Sequence, residues 1–262
     1  MPLPNPSGNH SSLLCQEARA RPPAFPASRR RSWLFVPGLD SAAQRRALAS
    51  GADVLVADLE ELTAPQDRAA ACIRVVDFLG ECRQAGVAAA VRINSLRHGG
   101  QVELEKIIEG APDAVLTSQA DAARHIEELD ALLAACETRL RLPPGRTAVV
   151  PVLASPLAIV RTFDVLTASA RIKAAVLAGG RLGAALGMED PGDATALRPI
   201  RGRFALECAA AGCLAVDSGH AYPDARAQAD DLAWARGAGI KSKCAVFEDQ
   251  VAALNRALSP SI

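Results

Sequence analysis

The 262-residue sequence has few aromatic residues, no excess charge of either sign and no long hydrophobic run. Aromatic residues make up 3% of the chain and hydrophobic residues 50%, so Ala, Val, Leu and Ile must form most of the core. The formal net charge is +0, which gives no electrostatic reason to expect nucleic acid or an anionic membrane surface as a partner. No apolar segment reaches the roughly 20 residues of a membrane-spanning helix. We therefore expect neither a nucleic acid nor a membrane as a partner.

The cysteines show no pattern typical of a disulfide framework or of a zinc site. They are odd in number, scattered, and found mostly in apolar helical stretches. The seven are Cys15, Cys72, Cys82, Cys136, Cys208, Cys213 and Cys244. This distribution is typical of reduced, buried thiols, so we expect a cytoplasmic protein.

The first 30 residues lack any hydrophobic period and contain six prolines interleaved with Ser and Arg. We predict a disordered arm over residues 1–30 and a single domain over residues 31–262. The Arg and Ser content also fits an organelle transit peptide, but the prolines argue against the amphipathic helix that such a peptide needs. The missing apolar segment argues against a secretory signal peptide.

From residue 31 onward the sequence repeats one unit, an apolar strand followed by a helix. The predicted strands span residues 32–36, 53–57, 87–93, 114–116, 148–153, 172–177, 214–217 and 240–246. The predicted helices span residues 41–49, 65–84, 102–109, 121–140 with Asp121 as N-cap, 195–211, 224–235 and 249–258, and a further helix follows the fifth strand and ends at about residue 168. Strands that are apolar throughout indicate a parallel sheet covered by helices.

Eight such units predict an α/β fold, a single (β/α)8 TIM-type barrel. The alternative is an open doubly wound sheet, which would need a glycine-rich turn after the first strand. The segment 37–40, Pro-Gly-Leu-Asp, is not such a turn. A barrel places its chemistry at the carboxyl ends of the strands.

The second strand ends in three carboxylates, Asp58, Glu60 and Glu61. Arg92, near the end of the third strand, would face them, and a guanidinium group binds carboxylates and phosphates through two parallel hydrogen bonds. An anionic substrate is therefore expected. Solvated acids at a capped strand end are the simpler interpretation of the same residues.

Three stretches of this sequence resemble one known family. The opening 32–38 (SWLFVPG), residues 51–70 and the third strand 91–94 (VRIN) are similar to the citrate lyase beta-subunit-like proteins of the HpcH/HpaI aldolase and citrate lyase family. The resemblance covers roughly residues 31–261. It implies a TIM barrel, usually oligomeric, and a magnesium-dependent lyase that makes or breaks a carbon–carbon bond beside a thioester or 2-oxo acid.

The resemblance also identifies where this chain departs from the family pattern. The metal-binding Glu of the family falls on Ala154, and its metal-binding Asp falls on Arg181. Magnesium requires oxygen ligands and usually takes one or two carboxylates. We therefore predict no metal at the family site, although magnesium is what the family implies, and a fixed charge on Arg181 in its place. A surface arginine is an equally weighted interpretation of Arg181.

Two functional hypotheses follow. In the first, the chain is a carbon–carbon lyase acting on an acyl-thioester, such as a coenzyme A thioester, or on a small hydroxy or oxo acid, and it forms a homo-oligomer. Arg181 and Glu60 would be catalytic, while the substrate-binding residues would be Arg92, Asp58, Glu61, Pro37 and Gly38. In the second, the chain is a catalytically lapsed barrel that serves as a binding or subunit-interaction module. An open polar cleft would favour the first, and pairing of Arg181 with Glu60 or Glu61 the second.

Three further residues carry separate hypotheses. Lys243, two positions after Lys241 on the eighth strand, could form a Schiff base in the barrel. His220 follows the seventh strand and could be a general base, although a turn histidine explains it more simply. Cys244 is expected in the core.

Overall fold

The computed structural model describes residues 30–118 and 120–259 of the chain. The predicted N-terminal arm lies, apart from its last residue, outside this part of the chain. The described residues contain eight parallel strands in a closed barrel whose spatial order is the chain order. The predicted (β/α)8 barrel is therefore confirmed.

The strands are short and hydrogen-bonded to their chain neighbours, and β1 closes the barrel against β8. They are β1 Ser32–Pro37, β2 Val54–Asp58, β3 Ala88–Ile93, β4 Ala114–Thr117, β5 Ala148–Leu153, β6 Ala174–Leu177, β7 Leu214–Asp217 and β8 Ser242–Ala245. Each strand begins and ends within about two residues of a predicted strand.

Helices cover the outside of the barrel. The α-helices of the described residues are α1 Ser41–Ala49, α2 Arg68–Gln84, α3 Gly100–Ile107, α4 Ala123–Leu140, α5 Pro156–Val160, α6 Thr162–Leu166, α7 Gly179–Ala185, α8 Arg198–Ala210, α9 Ala225–Gly237 and α10 Val251–Ala257. None of them is long and apolar enough to cross a membrane.

The structure differs from the helix predictions at two places. Asp121 does not cap α4, whose N-cap is Ala122 without a side-chain hydrogen bond; Asp121 instead accepts a hydrogen bond from Ser155 Oγ at 2.5 Å. The short helix α7 was not predicted, because it begins with Gly179-Gly180 and glycine has low helix propensity.

The barrel interior is filled by alternate residues of each strand, as the two-residue period of a β-strand requires. Small and branched side chains such as Val54, Ala90 and Val150 form this inner cluster, with Trp33 as its one fully buried aromatic. Continuing the same alternation, Asp58 and Arg92 point inward at the carboxyl ends of β2 and β3. Because Cys244 belongs to the inner cluster, its neighbour Lys243 points outward to the helices.

Candidate active site at the carboxyl ends of the strands

Asp58 and Arg92 are register partners on the neighbouring strands β2 and β3. Arg92 Nε donates to Asp58 Oδ1 at 2.9 Å, and Arg92 Nη2 donates to Asp58 Oδ2. Both residues are buried, with Asp58 0% and Arg92 5% exposed. Burial alone would lower the pKa of Arg92, but the hydrogen bonds and charge of Asp58 and the neighbouring glutamates raise it above its ordinary value. The guanidinium is therefore a permanent charge in this site.

Glu60 and Glu61 follow β2 in a turn that Asp58 organises. Asp58 Oδ1 accepts hydrogen bonds from the backbone N–H groups of Glu60 and Glu61 at 2.9 and 3.2 Å. Glu61 Oε2 then accepts from Arg92 Nη2 at 3.0 Å, and Glu60 accepts from the Ser118 hydroxyl. Three acids, one arginine and one serine from three strand ends thus form one hydrogen-bonded cluster.

Arg181 crosses the mouth of the barrel to this cluster. Its Nη1 lies 3.1 Å from Glu60 Oε1 and 3.0 Å from Glu61 Oε1, and its side chain is 40% exposed. Arg181 is therefore paired with both glutamates. Its Nε and Nη2 make no hydrogen bond with any described residue.

A cleft of about 290 Å³ lies between Arg181 and the barrel interior. Its walls are largely apolar, with Phe35, Leu62, Val152, Val176 and Val246 among the lining residues. Arg92 lines it too, with its guanidinium carbon 5.0 Å from the Phe35 ring centre. Within the described part of the chain Arg92 Nη1 has no hydrogen-bond partner. Two guanidinium groups with spare N–H donors therefore border one cleft, which suits a carboxylate or a carbonyl oxygen.

Residues 31–243 match the HpcH/HpaI aldolase/citrate lyase family. The chain belongs to this family. Citrate lyase subunit beta of Escherichia coli (strain K12) is 30% identical over 162 residues, which are 62% of this chain and 51% of that protein. L-malyl-CoA/beta-methylmalyl-CoA lyase of Cereibacter sphaeroides (strain ATCC 17025 / ATH 2.4.3) is 29% identical over 181 residues, 66% of this chain and 55% of that protein. The chain spans about half the length of the curated relatives it matches.

Solved structures of similar fold agree with the barrel. The citrate lyase beta subunit from M. tuberculosis, complexed with oxaloacetate and magnesium, has a TM-score of 0.72 at 22% identity, over 89% of this chain and 98% of that one. A Haloferax volcanii malate synthase pyruvate/acetyl-CoA ternary complex has a TM-score of 0.79 at 19% identity, over 90% of this chain and 72% of that one.

The residues of this family member do not fit magnesium at the expected position. Ala154 offers no oxygen ligand from its side chain, and Arg181 brings a positive charge. The acids that remain nearby, Asp58, Glu60 and Glu61, all accept hydrogen bonds from guanidinium groups. No group of three or more His, Cys, Asp or Glu side chains among residues 30–118 and 120–259 is arranged to hold a metal ion.

Pro37 and Gly38, predicted to bind substrate, are not among the residues that line the cleft. Their carbonyl groups accept hydrogen bonds from Gln44 Nε2 at 3.1 and 3.0 Å, and the Gly38 N–H donates to Thr63 Oγ1 at 3.0 Å. A Cβ atom on Gly38 would lie 2.8 Å from Leu59 Cδ2. Pro37 is therefore held at the end of β1, and Gly38 packs the loop after β1 against the loop after β2.

The Schiff-base hypothesis for Lys243 is wrong. Lys243 is fully buried on the outside of the barrel, with Nζ 2.7 Å from Asp217 Oδ2 and 3.2 Å from Asp231 Oδ2. Arg201 completes this network with hydrogen bonds to both aspartates. Sequence reasoning missed the network because its members lie on two strands and two helices. The one available signal was the pair of charged residues at outward strand positions.

His220 lies beside the cleft with a partner that sequence reasoning did not assign. Its Nε2 is 3.0 Å from Ser218 Oγ, and Ser218 lines the cleft. Burial is the main reason that the pKa of His220 falls to about 4. Cys244 also lines the cleft, but it is 8% exposed and burial raises its pKa to about 12, so it behaves as the core residue that was expected.

Proposed function

We propose that this protein is a carbon–carbon lyase that acts on an acyl-thioester or a small hydroxy or oxo acid, without magnesium at the family position. One observation carries the proposal: Arg92, buried and held by Asp58, has a free Nη1 at a cleft that Arg181 also borders. Two fixed positive charges at the carboxyl ends of barrel strands suit an anionic substrate.

The proposed roles follow from the charges. Arg92 binds the substrate carboxylate or thioester carbonyl, and Asp58 and Glu61 orient Arg92. Glu60 is not among the residues that line the cleft, but it is paired with Arg181 at the border of the cleft. In the proposal it accepts the proton of the substrate hydroxyl as the carbon–carbon bond breaks, and the electron pair of that bond passes to the carbonyl oxygen of the departing enolate. Arg181 stabilises this oxyanion; one such donor is typically worth about 3 kcal/mol of barrier.

The relatives support the substrate class. The curated ones are named for citrate and for malyl-CoA and beta-methylmalyl-CoA, and the M. tuberculosis structure holds oxaloacetate. A coenzyme A thioester is therefore the form of substrate we propose. The homo-oligomer remains a prediction from the family resemblance. A cytoplasmic location is also proposed, and the six described cysteines, all free, support it.

The second candidate is a catalytically lapsed barrel that binds a ligand or a subunit. The pairing of Arg181 with both Glu60 and Glu61 favours it, because it leaves neither carboxylate without a cationic partner, and so do the largely apolar walls of the cleft. Either carboxylate would have to leave its ion pair with Arg181 before it could contact a substrate proton.

The test is turnover of malyl-, citramalyl- and citryl-thioesters by the wild type and by Arg92→Lys. Lysine keeps the charge but loses the planar fork. We expect turnover by the wild type and a loss of about 100-fold or more in the variant, in line with the loss of an oriented donor. Arg46→Lys, which alters an exposed pair with Glu248, is the matched control. No turnover of any thioester by the wild type would favour the second candidate.

A further inference from the structure

Ser218 lies directly after β7 and continues its inward-facing positions. It is 3% exposed and borders the cleft together with Arg92 and Arg181. A Cβ atom on Gly179 would lie 2.7 Å from Ser218 Oγ, so the glycine backbone packs against this hydroxyl. The hydroxyl is thus held in one place at the wall of the cleft.

His220 is oriented so that it can take a proton from this hydroxyl. Its Nδ1 lies 3.0 Å from the carbonyl oxygen of Gly192, and its Nε2 lies 3.0 Å from Ser218 Oγ. Because a carbonyl oxygen can only accept a hydrogen bond, Nδ1 carries the proton and Nε2 has the free lone pair. Ser218 O–H therefore donates to Nε2. Gln250 holds the loop by donating from Nε2 to the His220 carbonyl at 3.0 Å.

The charge state of His220 supports this arrangement. Burial is the main reason that the pKa of His220 falls to about 4; the charges of Lys243 and Arg201 also lower the pKa, while those of Asp217 and Asp231 raise it. The imidazole is therefore neutral near pH 7. A neutral imidazole oriented by a hydrogen bond at Nδ1 and bonded to a hydroxyl at Nε2 is the arrangement that activates serine nucleophiles.

We infer that Ser218 and His220 form a nucleophile–base pair that hydrolyses an acyl thioester or ester bound in the cleft. His220 Nε2 takes the hydroxyl proton while Ser218 Oγ bonds to the acyl carbon. The carbon–sulfur bond then breaks, and the thiolate leaves with the proton from His220. Water, deprotonated by His220, cleaves the acyl-serine and releases a carboxylic acid and the free serine.

This activity goes beyond the proposed function and does not depend on it. It requires no cleavage of a carbon–carbon bond, and its substrates need no hydroxyl group. A simple ester or acetyl thioester therefore tests it even if every malyl- or citryl-thioester fails.

The first experiment treats the wild-type protein with a fluorophosphonate probe and maps the labelled peptide by mass spectrometry. We expect the label on Ser218. The second measures hydrolysis of p-nitrophenyl acetate and acetyl-CoA by Ser218→Ala and His220→Gln. Both variants should lose about 100-fold or more, the usual contribution of a positioned base.

A matched control exists in the same chain. Ser95 Oγ lies 2.7 Å from His98 Nδ1, but both side chains lie away from this cleft and His98 is exposed. Ser95→Ala should keep the full rate and labelling. The inference is overturned if wild-type Ser218 carries no label, or if folded Ser218→Ala hydrolyses both substrates at the wild-type rate. The wild-type mapping decides the matter even if a variant fails to fold.

Discussion

Arg92 binds Asp58 through two guanidinium nitrogens across neighbouring strands, where both side chains are buried. This pair fixes the third guanidinium nitrogen, Nη1, at the cleft. The same pair also contributes to the stability of the fold, because removing either charge would leave the other buried without a partner.

Replacing Arg92 by Met should destabilise the protein. The change leaves Asp58 buried without its cation, and breaking one side of a buried pair typically costs about 3–5 kcal/mol. Urea titration of the wild type and the variant measures the free energy of unfolding. The control Arg46→Met breaks an exposed pair with Glu248 and should cost less than about 1 kcal/mol. Equal losses in the two variants would contradict the account of the buried pair.

Replacing Arg181 by Ala should affect chemistry much more than stability. Its side chain is 40% exposed, so the loss of its ion pairs should change the free energy of unfolding by less than about 1 kcal/mol. Turnover should fall by about 100-fold if Arg181 stabilises the oxyanion. Arg203→Ala, which alters an exposed pair with Glu207, is the control. Turnover that stays unchanged in Arg181→Ala would exclude a role for Arg181 in the site.

The sequence predicts the barrel well because its strands are apolar runs between helices. Strands β5 and β7 begin and end at the predicted residues. Helix α7 was missed because its stability comes from tertiary packing: a Cβ on Gly183 would lie 2.5 Å from the Pro191 carbonyl oxygen. Helix propensity, which depends on the local sequence alone, does not predict such tertiary contacts.

The site was predicted in part. That Arg92 faces the acids at the end of β2 could be predicted, because active sites of such barrels lie at the carboxyl ends of the strands. Lys243 was misplaced because the prediction did not fix which alternate residues of β8 point inward, and a shift of one residue reverses every side chain. The Ser218–His220 pair needs the path of the loop after β7, and the sequence does not specify it.

His220 should make stability depend on pH. The pKa of His220 in the folded protein, about 4, is below its ordinary value of 6.5. The contribution of His220 to stability is therefore fully present above pH 6.5 and is lost as the pH falls towards 4. About 2 kcal/mol of the free energy of unfolding should be lost between pH 7 and 5 through this residue. The acids with depressed pKa nearby, Asp217 and Asp231, contribute only below this range.

Unfolding midpoints measured at several pH values check the predicted loss of stability through His220. His220→Gln should have a flatter profile between pH 7 and 5 than the wild type, whereas the exposed His98→Gln should follow the wild type. An unchanged slope in His220→Gln would show that other groups cause the pH dependence.

Replacing Lys243 by Met should destabilise the fold strongly. Met leaves Asp217 and Asp231 with Arg201 as their remaining buried cation, and the expected cost is about 3–5 kcal/mol. Reduction with borohydride in the presence of a 2-oxo acid should give no adduct on Lys243, because the side chain lies outside the barrel. A mapped adduct there would contradict its placement.

The central claim is that guanidinium groups hold the acids of this site in place of magnesium. The most direct measurement compares turnover of the thioester panel in excess magnesium and in excess chelator. The account predicts turnover that is the same under both conditions. Turnover that disappears on chelation and returns with magnesium would contradict it.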